Sequence, residues 1–503
     1  MLEYIINTAL ARRGLVLVLV ALLMGLGIWN FNRLPIDAVP DITNVQVVVN
    51  TPAPGYTPLE AEQRITFTIE TALSGMPSLS YTRSVSRYGL SQVTAVFEEG
   101  TDIYFARQQV SERITTVRGM LPEGLEPSLG PIATGLGEIF MFTVDAEPGA
   151  TNPDGSLVTP TNLRSVHDWI IRPQLLQVPG VVEVNPIGGF KKEILVAPEP
   201  EKMLAFGVDY ADIFSALEQG NGNRGTGFIE NNGSQLLMRM SGQALTLEDL
   251  RNIQIAQHES VPVLVRDVAR VDVGQELRSG AATQNGREVV MSTVFMLIGA
   301  NSREVANDTA VELENIKASL PEGITVTAVY NRSTLVDKTL RTVEKNLIEG
   351  ALLVVVILFL LLGNIRAAIL TAAVIPIAML MTITGMVQTR TSANLMSLGA
   401  LDFGLIIDGS VIIVENCLRR LSEASSSGRL ELQRRLEVVS SATREVMKPA
   451  LFGVFIITAV YIPVFALEGI EGKMFHPMAI TVVIALLSGM LLSITFIPAC
   501  IAL

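Results

Sequence analysis

Predominantly apolar runs of bilayer length occur at six places: Leu15 to Phe31, Leu347 to Leu362, Ala367 to Val387, Leu395 to Cys417, Pro449 to Leu467 and Pro477 to Leu503. Runs of this kind predict membrane-spanning helices. Between the first and the second the pattern changes. Val45 to Val49 alternates as a half-buried strand does, and "TPLEAEQ" follows with Thr57 to cap a helix, Pro58 in its first turn and Glu60 to complete a capping box. That helix is expected to reach about Leu73. Strand-like runs come next at Leu79 to Val85 and Gln92 to Phe97, and "EEGTD" turns into a second helix ending near Met120. The predicted order is β-α-β-β-α-β.

The end of this unit, "RITTVRGMLPEGLEPSL", has a counterpart in "ELENIKASLPEGITVTAV". Either the unit is built twice or a common Pro-Gly turn recurs by chance. Taken as a duplication, the second copy runs from a strand at Ile139 to Val144 through a helix at Asn162 to Leu176 to a strand at Val181 to Val184. It resumes at Val289 to Met296, with a helix ending near Leu320. A turn-rich stretch from Pro186 to about Gly280 interrupts it, with "GNGNRGTG" as a projecting loop. The fold class expected is an α+β membrane protein. Its divisions are a surface helix and first span (1–34), a first unit (35–134), a second unit in two parts (135–185 and 281–335) around an insertion (186–280), and five further spans (336–503).

Basic residues in short connections set orientation. Arg12, Arg13, Arg366, Arg419, Arg420, Arg429, Arg434, Arg435, Arg444 and Lys448 fall on one side if the N-terminus is cytoplasmic. The β-rich region is then exported, and 418–448 becomes a cytoplasmic loop, read as an amphipathic surface helix. "MLEYIINTALARR" reads equally as a helix along the inner face or as an extension of the first span. "WNFNRLP" offers no small-residue cleavage site, so the first span reads as an uncleaved anchor.

Composition agrees with a partly membrane-embedded chain: 503 residues, 49% of them hydrophobic, with a mean hydropathy of +0.43. A net charge of −12 argues against nucleic acid as a partner. Cys417 and Cys500 both sit in apolar runs, so no disulfide framework is expected.

The fourth run, "LGALDFGLIIDGSVIIVEN", holds Asp402, Asp408 and Glu415. An ionised group at mid-bilayer costs roughly 2.5–3.5 kcal/mol on insertion scales, so such groups turn towards partners or water. Asp408 and Glu415, seven apart, share a helix face, and Asp402 lies about 120° around. Burial disfavours the charged form of a carboxylate and brings proton exchange towards neutral pH, which suits a proton carrier. The structural alternative, capping or salt-bridging neighbouring helices, stands most strongly for Glu415, near Asn416 and Arg419.

Anchor, duplicated exported units and an acidic fourth span together resemble the resistance-nodulation-division (RND) transporters. "DFGLIIDGSVIIVEN" is similar to the fourth-span signature of their heavy-metal efflux branch, cobalt-zinc-cadmium type, with Ser410 where that pattern has Ala. The resemblance covers essentially the whole chain and is to an N-terminal half. It implies ferredoxin-like porter subdomains with an inserted docking domain, and proton-coupled export relayed by Asp402, Asp408 and Glu415, Asp408 being the central acceptor. It further implies a homotrimer in the bacterial inner membrane, working with a periplasmic adaptor (membrane fusion) protein and an outer-membrane channel. The cargo would be a divalent ion such as Zn, Co or Cd, and no cofactor is expected. The family has twelve spans in two halves. Six predict a truncated chain, a half completed by a separate chain, or associating six-span subunits.

Glu138 in "TGLGEIF" and Asp168 in "SVHDWIIRPQL" resemble carboxylate positions of the cleft in divalent-metal members. His167 reads as a surface histidine pointing elsewhere. Met238 and Met240 alternate on a strand, where packing is the simpler role than soft-metal ligation. His258 and His476 stand alone, and no ATP-binding phosphate loop is present. Two other readings remain: an RND exporter of organic or lipidic compounds, marked by an aromatic cleft, and a transport-inactive membrane scaffold.

Overall fold

The computed structural model describes residues 2–503 apart from 32, 33, 35, 37–39, 232, 241, 259, 260, 278, 279, 390, 400–402 and 426–430. Helices α1 (Leu2–Ala11) and α2 (Arg13–Phe31) part at Arg12. The first β-rich unit begins with β1 (Gln46–Pro52) and α3 (58–73). Thr57 caps α3 as the sequence predicts: its hydroxyl accepts from the Glu60 N–H, and the Glu60 carboxylate accepts from the Thr57 N–H at 3.0 Å. Then come β2 (Leu79–Arg87), β3 (Leu90–Phe97), α4 (Ile103–Val117) and β4 (Ser128–Leu129). The antiparallel sheet has the order β2-β3-β1-β4. Its inner face, Val47, Val49, Val93 and Ala95, packs on Ile65, Ile69, Ala106 and Val110 of the two helices.

The second unit starts with β5 (Glu138–Ala146), α5 (160–175) and β6 (Val181–Ile187). The chain then leaves it along β7 (Lys192–Pro198) and through the hairpins β8 (Arg224–Asn231) with β9 (Ser234–Met240) and β10 (Gln254–His258) with β11 (Val261–Leu264). It returns on β12 (Ala269–Gln275), paired with β7 along its whole length, and β13 (Ala282–Gln284). The predicted loop "GNGNRGTG" is corrected here: from Arg224 onward it is strand, because residues 224–231 pair with β9. β14 (Arg287–Met296), α6 (Ser302–Ile316) and β15 (Ile324–Asn331) complete the unit. The order β6-β14-β5-β15 repeats that of the first sheet.

The remaining helices are α7 (Arg332–Leu362), α8 (Ile365–Gln388), α9 (Phe403–Ala424), α10 (Leu432–Val460) and α11 (Gly469–Ile501). Among the described residues five helices are long and apolar enough to cross a membrane: α2, α8, α11 and the helices containing α9 and α10. The second predicted run forms the C-terminal half of α7. The expected surface helix over 418–448 is also corrected. α9 itself continues to Ala424 and α10 starts at Leu432, held beyond their apolar parts by ion pairs one turn apart, Arg420 with Glu423 and Arg434 with Glu437.

α1 is no extension of α2. Its Ile6 and Leu10 are buried in the cluster that holds Ile497 and Ala502 of the α11 end and Val439 and Ala442 of α10, and Asn7 Oδ1 accepts from Ser440 and Arg444. The basic residues near α1, at the end of α9 and at the start of α10 thus gather at the end of the bundle away from the β-rich units. Glycines set the closest helix approaches: a Cβ on Gly27 would lie 2.6 Å from Leu380 Cβ, and one on Gly489 would lie 2.5 Å from the Ile406 carbonyl oxygen.

Candidate functional site: a carboxylate stripe on a membrane helix

Burial along α9 has a helical period. Ile406, Ile407, Gly409, Ser410, Ile413, Val414, Asn416 and Cys417 are buried, and Gly404, Asp408, Ile412, Glu415 and Arg419 are exposed. The exposed positions follow i, i+4, i+8, i+11, i+15, one straight stripe. Asp408 and Glu415 therefore share a face, as their spacing predicts; Asp402 lies outside the described residues. Among those residues Glu415 makes no ion pair, so the salt-bridging alternative finds no partner within them.

α9 is anchored behind this stripe and along its flank. Ser410 and Ser493 of α11 share a hydrogen bond of 2.6 Å. The buried Asn416 amide donates to the Ala442 carbonyl of α10 at 2.8 Å and accepts from Arg419 at 2.7 Å, while Arg420 pairs with Glu445 at 2.8 Å. These polar bonds fix the rotation of the helix and keep the Asp408 and Glu415 positions on its exposed face. Acids placed so in an apolar helix have two tolerable surroundings, a facing polar partner or water, and both permit proton exchange.

In the second β-rich unit Glu138 opens β5, half-buried and opposite Phe295 of β14. Asp168 stands on α5 at a five-residue π turn, His167–Ile171. There its carboxylate accepts from Arg164 Nε at 2.9 Å and pairs with His167 Nδ1 at 2.8 Å. The surface position expected for His167 is wrong: the residue is 0% exposed. The π turn shifts side-chain phase by about one residue relative to a regular helix. That carries the imidazole against the sheet, where Nε2 lies 2.9 Å from Ser292 Oγ and the ring stacks on Phe142 with centroids 6.2 Å apart. Burial pushes the imidazole below its ordinary value, against the pull of Asp168. Burial also pushes the Asp168 carboxyl up, but the bonds from His167 and Arg164 outweigh it and hold it low. A neutral His167 beside an ionised Asp168 carries its proton on Nδ1, so Ser292 donates to Nε2.

A Ser-His-Asp order is familiar from hydrolases, but Ser292 is 0% exposed and no substrate carbonyl can reach it. Among the described residues no group of three or more His, Cys, Asp or Glu is placed to hold a metal ion. Met238, Met240 and His258 have side chains outside the described set, and His476 of α11 lies beside Phe465, ring centroids 5.9 Å apart. Sequence reasoning passed over Ser292, Ser493 and Lys473; for Ser493 a signal existed, a hydroxyl inside the apolar run "MLLSITF".

Residues 5–503 match the model of the AcrB/AcrD/AcrF family. The chain is 56% identical over its whole length to the cation efflux system protein CzcA of Alcaligenes sp. (strain CT14), covering 48% of that protein. It is 48% identical to the nickel and cobalt resistance protein CnrA of Cupriavidus metallidurans, again over all of this chain and 49% of that one. With the cation efflux system protein CusA of Escherichia coli (strain K12) the identity is 36%, over 99% of this chain and 48% of CusA. The crystal structure of a heavy metal efflux pump superimposes with a TM-score of 0.87 at 32% identity, over 98% of this chain and 48% of that one. The chain thus spans about half the length of the curated relatives it matches.

Proposed function

Because the chain belongs to the AcrB/AcrD/AcrF family of RND transporters, we propose that it supplies the N-terminal half of an inner-membrane pump exporting divalent heavy-metal cations in exchange for protons. The observation that carries the proposal is the α9 stripe. Asp408 and Glu415 lie together on the exposed face of an apolar helix that is pinned behind by Ser410 and at its flank by Asn416. A partner surface that closes over this face would complete a proton site, with Asp402 as a further relay carboxylate. CzcA and CnrA, named for cation efflux and for nickel and cobalt resistance, support divalent metal as the cargo class.

In this reading six helices span the membrane, α7 being the second, with the N-terminus and the basic helix ends in the cytoplasm. The two repeated sheets are ferredoxin-like porter subdomains in the periplasm, and β7 to β12 form the docking domain. The working assembly is a trimer with an adaptor and an outer-membrane channel. Glu138 and Asp168 are proposed cargo ligands. Arg164 already neutralises Asp168, so a cation bound there must displace the guanidinium, which favours moderate affinity and release.

The test is efflux from metal-loaded vesicles bearing the chain with the remaining half of a pump of this family. Asp408→Asn should abolish proton-coupled transport, and unchanged transport would refute the assigned role. Transport of organic compounds but not metal would instead select the organic-cargo reading.

A further inference from the structure

Two features outside the carboxylate stripe join the membrane helices to the β-rich units, and they do so by different helices. Lys473, in the first turns of α11, is 18% exposed at its side chain. Its Nζ donates to the Thr43 carbonyl at 2.7 Å and to Asn44 Oδ1 at 3.4 Å, and lies 3.8 Å from the Glu99 carboxylate. Thr43 and Asn44 lead directly into β1, and Glu99 follows β3, so one ammonium clamps both central strands of the first unit. The second unit is held from α7 instead. Arg332, the first residue of α7, donates to the Leu136 carbonyl ahead of β5, and Asp337 of α7 pairs with Arg303 of α6 at 2.8 Å. An open groove of about 400 Å³ lies between the two attachments, with Thr43 and Asn44 on one wall and Gly135 and Leu136 on the other.

The far part of α11 is tied to the carboxylate helix. Ser493 bonds Ser410, two residues from Asp408, and the Gly489 backbone sits directly on the Ile406 carbonyl. From Ser493 to Lys473 is about 30 Å along a helix that rises about 1.5 Å per residue. Packed helices move as rigid bodies between discrete arrangements. A shift of α9 on proton exchange at Asp408 would reach α11 at Ser493 and, along that helix, Lys473.

Resting on the transport reading above, we infer that α11 is a strut that moves the first β-rich unit against the second and so opens and closes the groove between them, with Lys473 as its head and Ser493 as its foot. Both are positioning residues, acting through other groups.

The test uses the vesicle assay with the remaining half of the pump supplied, and two readouts: metal efflux, and the pH profile of carbodiimide labelling at Asp408. Lys473→Met should lower efflux at least about tenfold with the labelling profile unchanged, and Lys473→Arg should restore efflux to within about twofold. Efflux by Lys473→Met within twofold of the parent overturns the inference, as does a loss that Lys473→Arg fails to rescue or that shifts the labelling profile. Should Lys473→Met not fold, Asn44→Ala combined with Glu99→Gln removes the two side-chain partners of Lys473 and leaves the Thr43 carbonyl; efflux should then fall by at least about threefold with the labelling profile unchanged, and efflux equal to the parent overturns the inference. Failure of the proton reading is seen separately, as Asp408→Asn that still transports.

Discussion

Replacing His167 by Ala removes two hydrogen bonds made by a fully buried imidazole. The bond to the ionised Asp168 (2.8 Å) is charge-assisted, worth about 1.5–3 kcal/mol, and that with Ser292 (2.9 Å) is neutral, worth about 0.5–1.5 kcal/mol. Arg164 stays on Asp168, and Ser292 keeps only a 3.5 Å contact with the Asn185 carbonyl. The expected loss is about 2–4 kcal/mol. The chain has two tryptophans, Trp29 and Trp169. Because Trp169, on the same π turn, is already 81% exposed, unfolding in urea is followed by circular dichroism rather than by tryptophan emission. At a slope near 2 kcal/mol/M the midpoint should fall by about 1–2 M. The pH dependence is a second arm. The folded imidazole value is depressed below the unfolded value of about 6.5, so the unfolded chain binds the proton first. Stability therefore falls as pH drops below about 6.5, by up to about 1.4 kcal/mol per pH unit until the folded imidazole also protonates. Asp168, depressed as well, adds a second loss below about pH 4. His167→Ala should flatten the upper limb. A midpoint shift under about 0.3 M, or an upper limb that survives the substitution, would refute the buried neutral-histidine account.

Other substitutions test other levels of the structure. Gly489→Leu should force α9 and α11 apart, since even a Cβ there meets the Ile406 carbonyl oxygen at 2.5 Å; melting in detergent should drop by several degrees. Thr57→Ala should cost about 1 kcal/mol and speed amide exchange at the first turn of α3 without touching transport. Isothermal titration with Zn²⁺ should show weaker binding for Glu138→Gln and for Asp168→Asn. Unaltered affinity in both would remove the cargo-ligand proposal.

The elements most readily predicted were those whose information is local. The Thr57-Pro58-Glu60 signature placed the start of α3, and the repeated "LPEG" segments marked equivalent positions that prove to follow α4 and α6, helices of sheets with the same strand order. Long apolar runs located helices, yet they gave poor ends for α9 and α10, because helix continues past the apolar segment wherever charged pairs such as Arg434 with Glu437 support it. His167 was misplaced for a different reason. A π turn leaves no mark in a 3.6-residue pattern, so the residue that reads as outward is the one driven against Ser292. Asp408 and Glu415 were legible as a pair from their spacing, whereas the bonds that aim them, Ser410 to Ser493 and Asn416 to Ala442, join segments far apart in the chain and had to be seen in three dimensions.

The central claim is that proton exchange on the α9 carboxylates drives cation movement. It is tested most directly in proteoliposomes with the pump completed, Zn²⁺ at equal concentration on both sides and a pH-reporting dye in the lumen. An imposed proton gradient should move Zn²⁺ against its own gradient while the dye records proton flow in the opposite direction, and both should stop with Asp408→Asn. Zn²⁺ movement that continues after an ionophore has collapsed the proton gradient and the membrane potential would contradict the account.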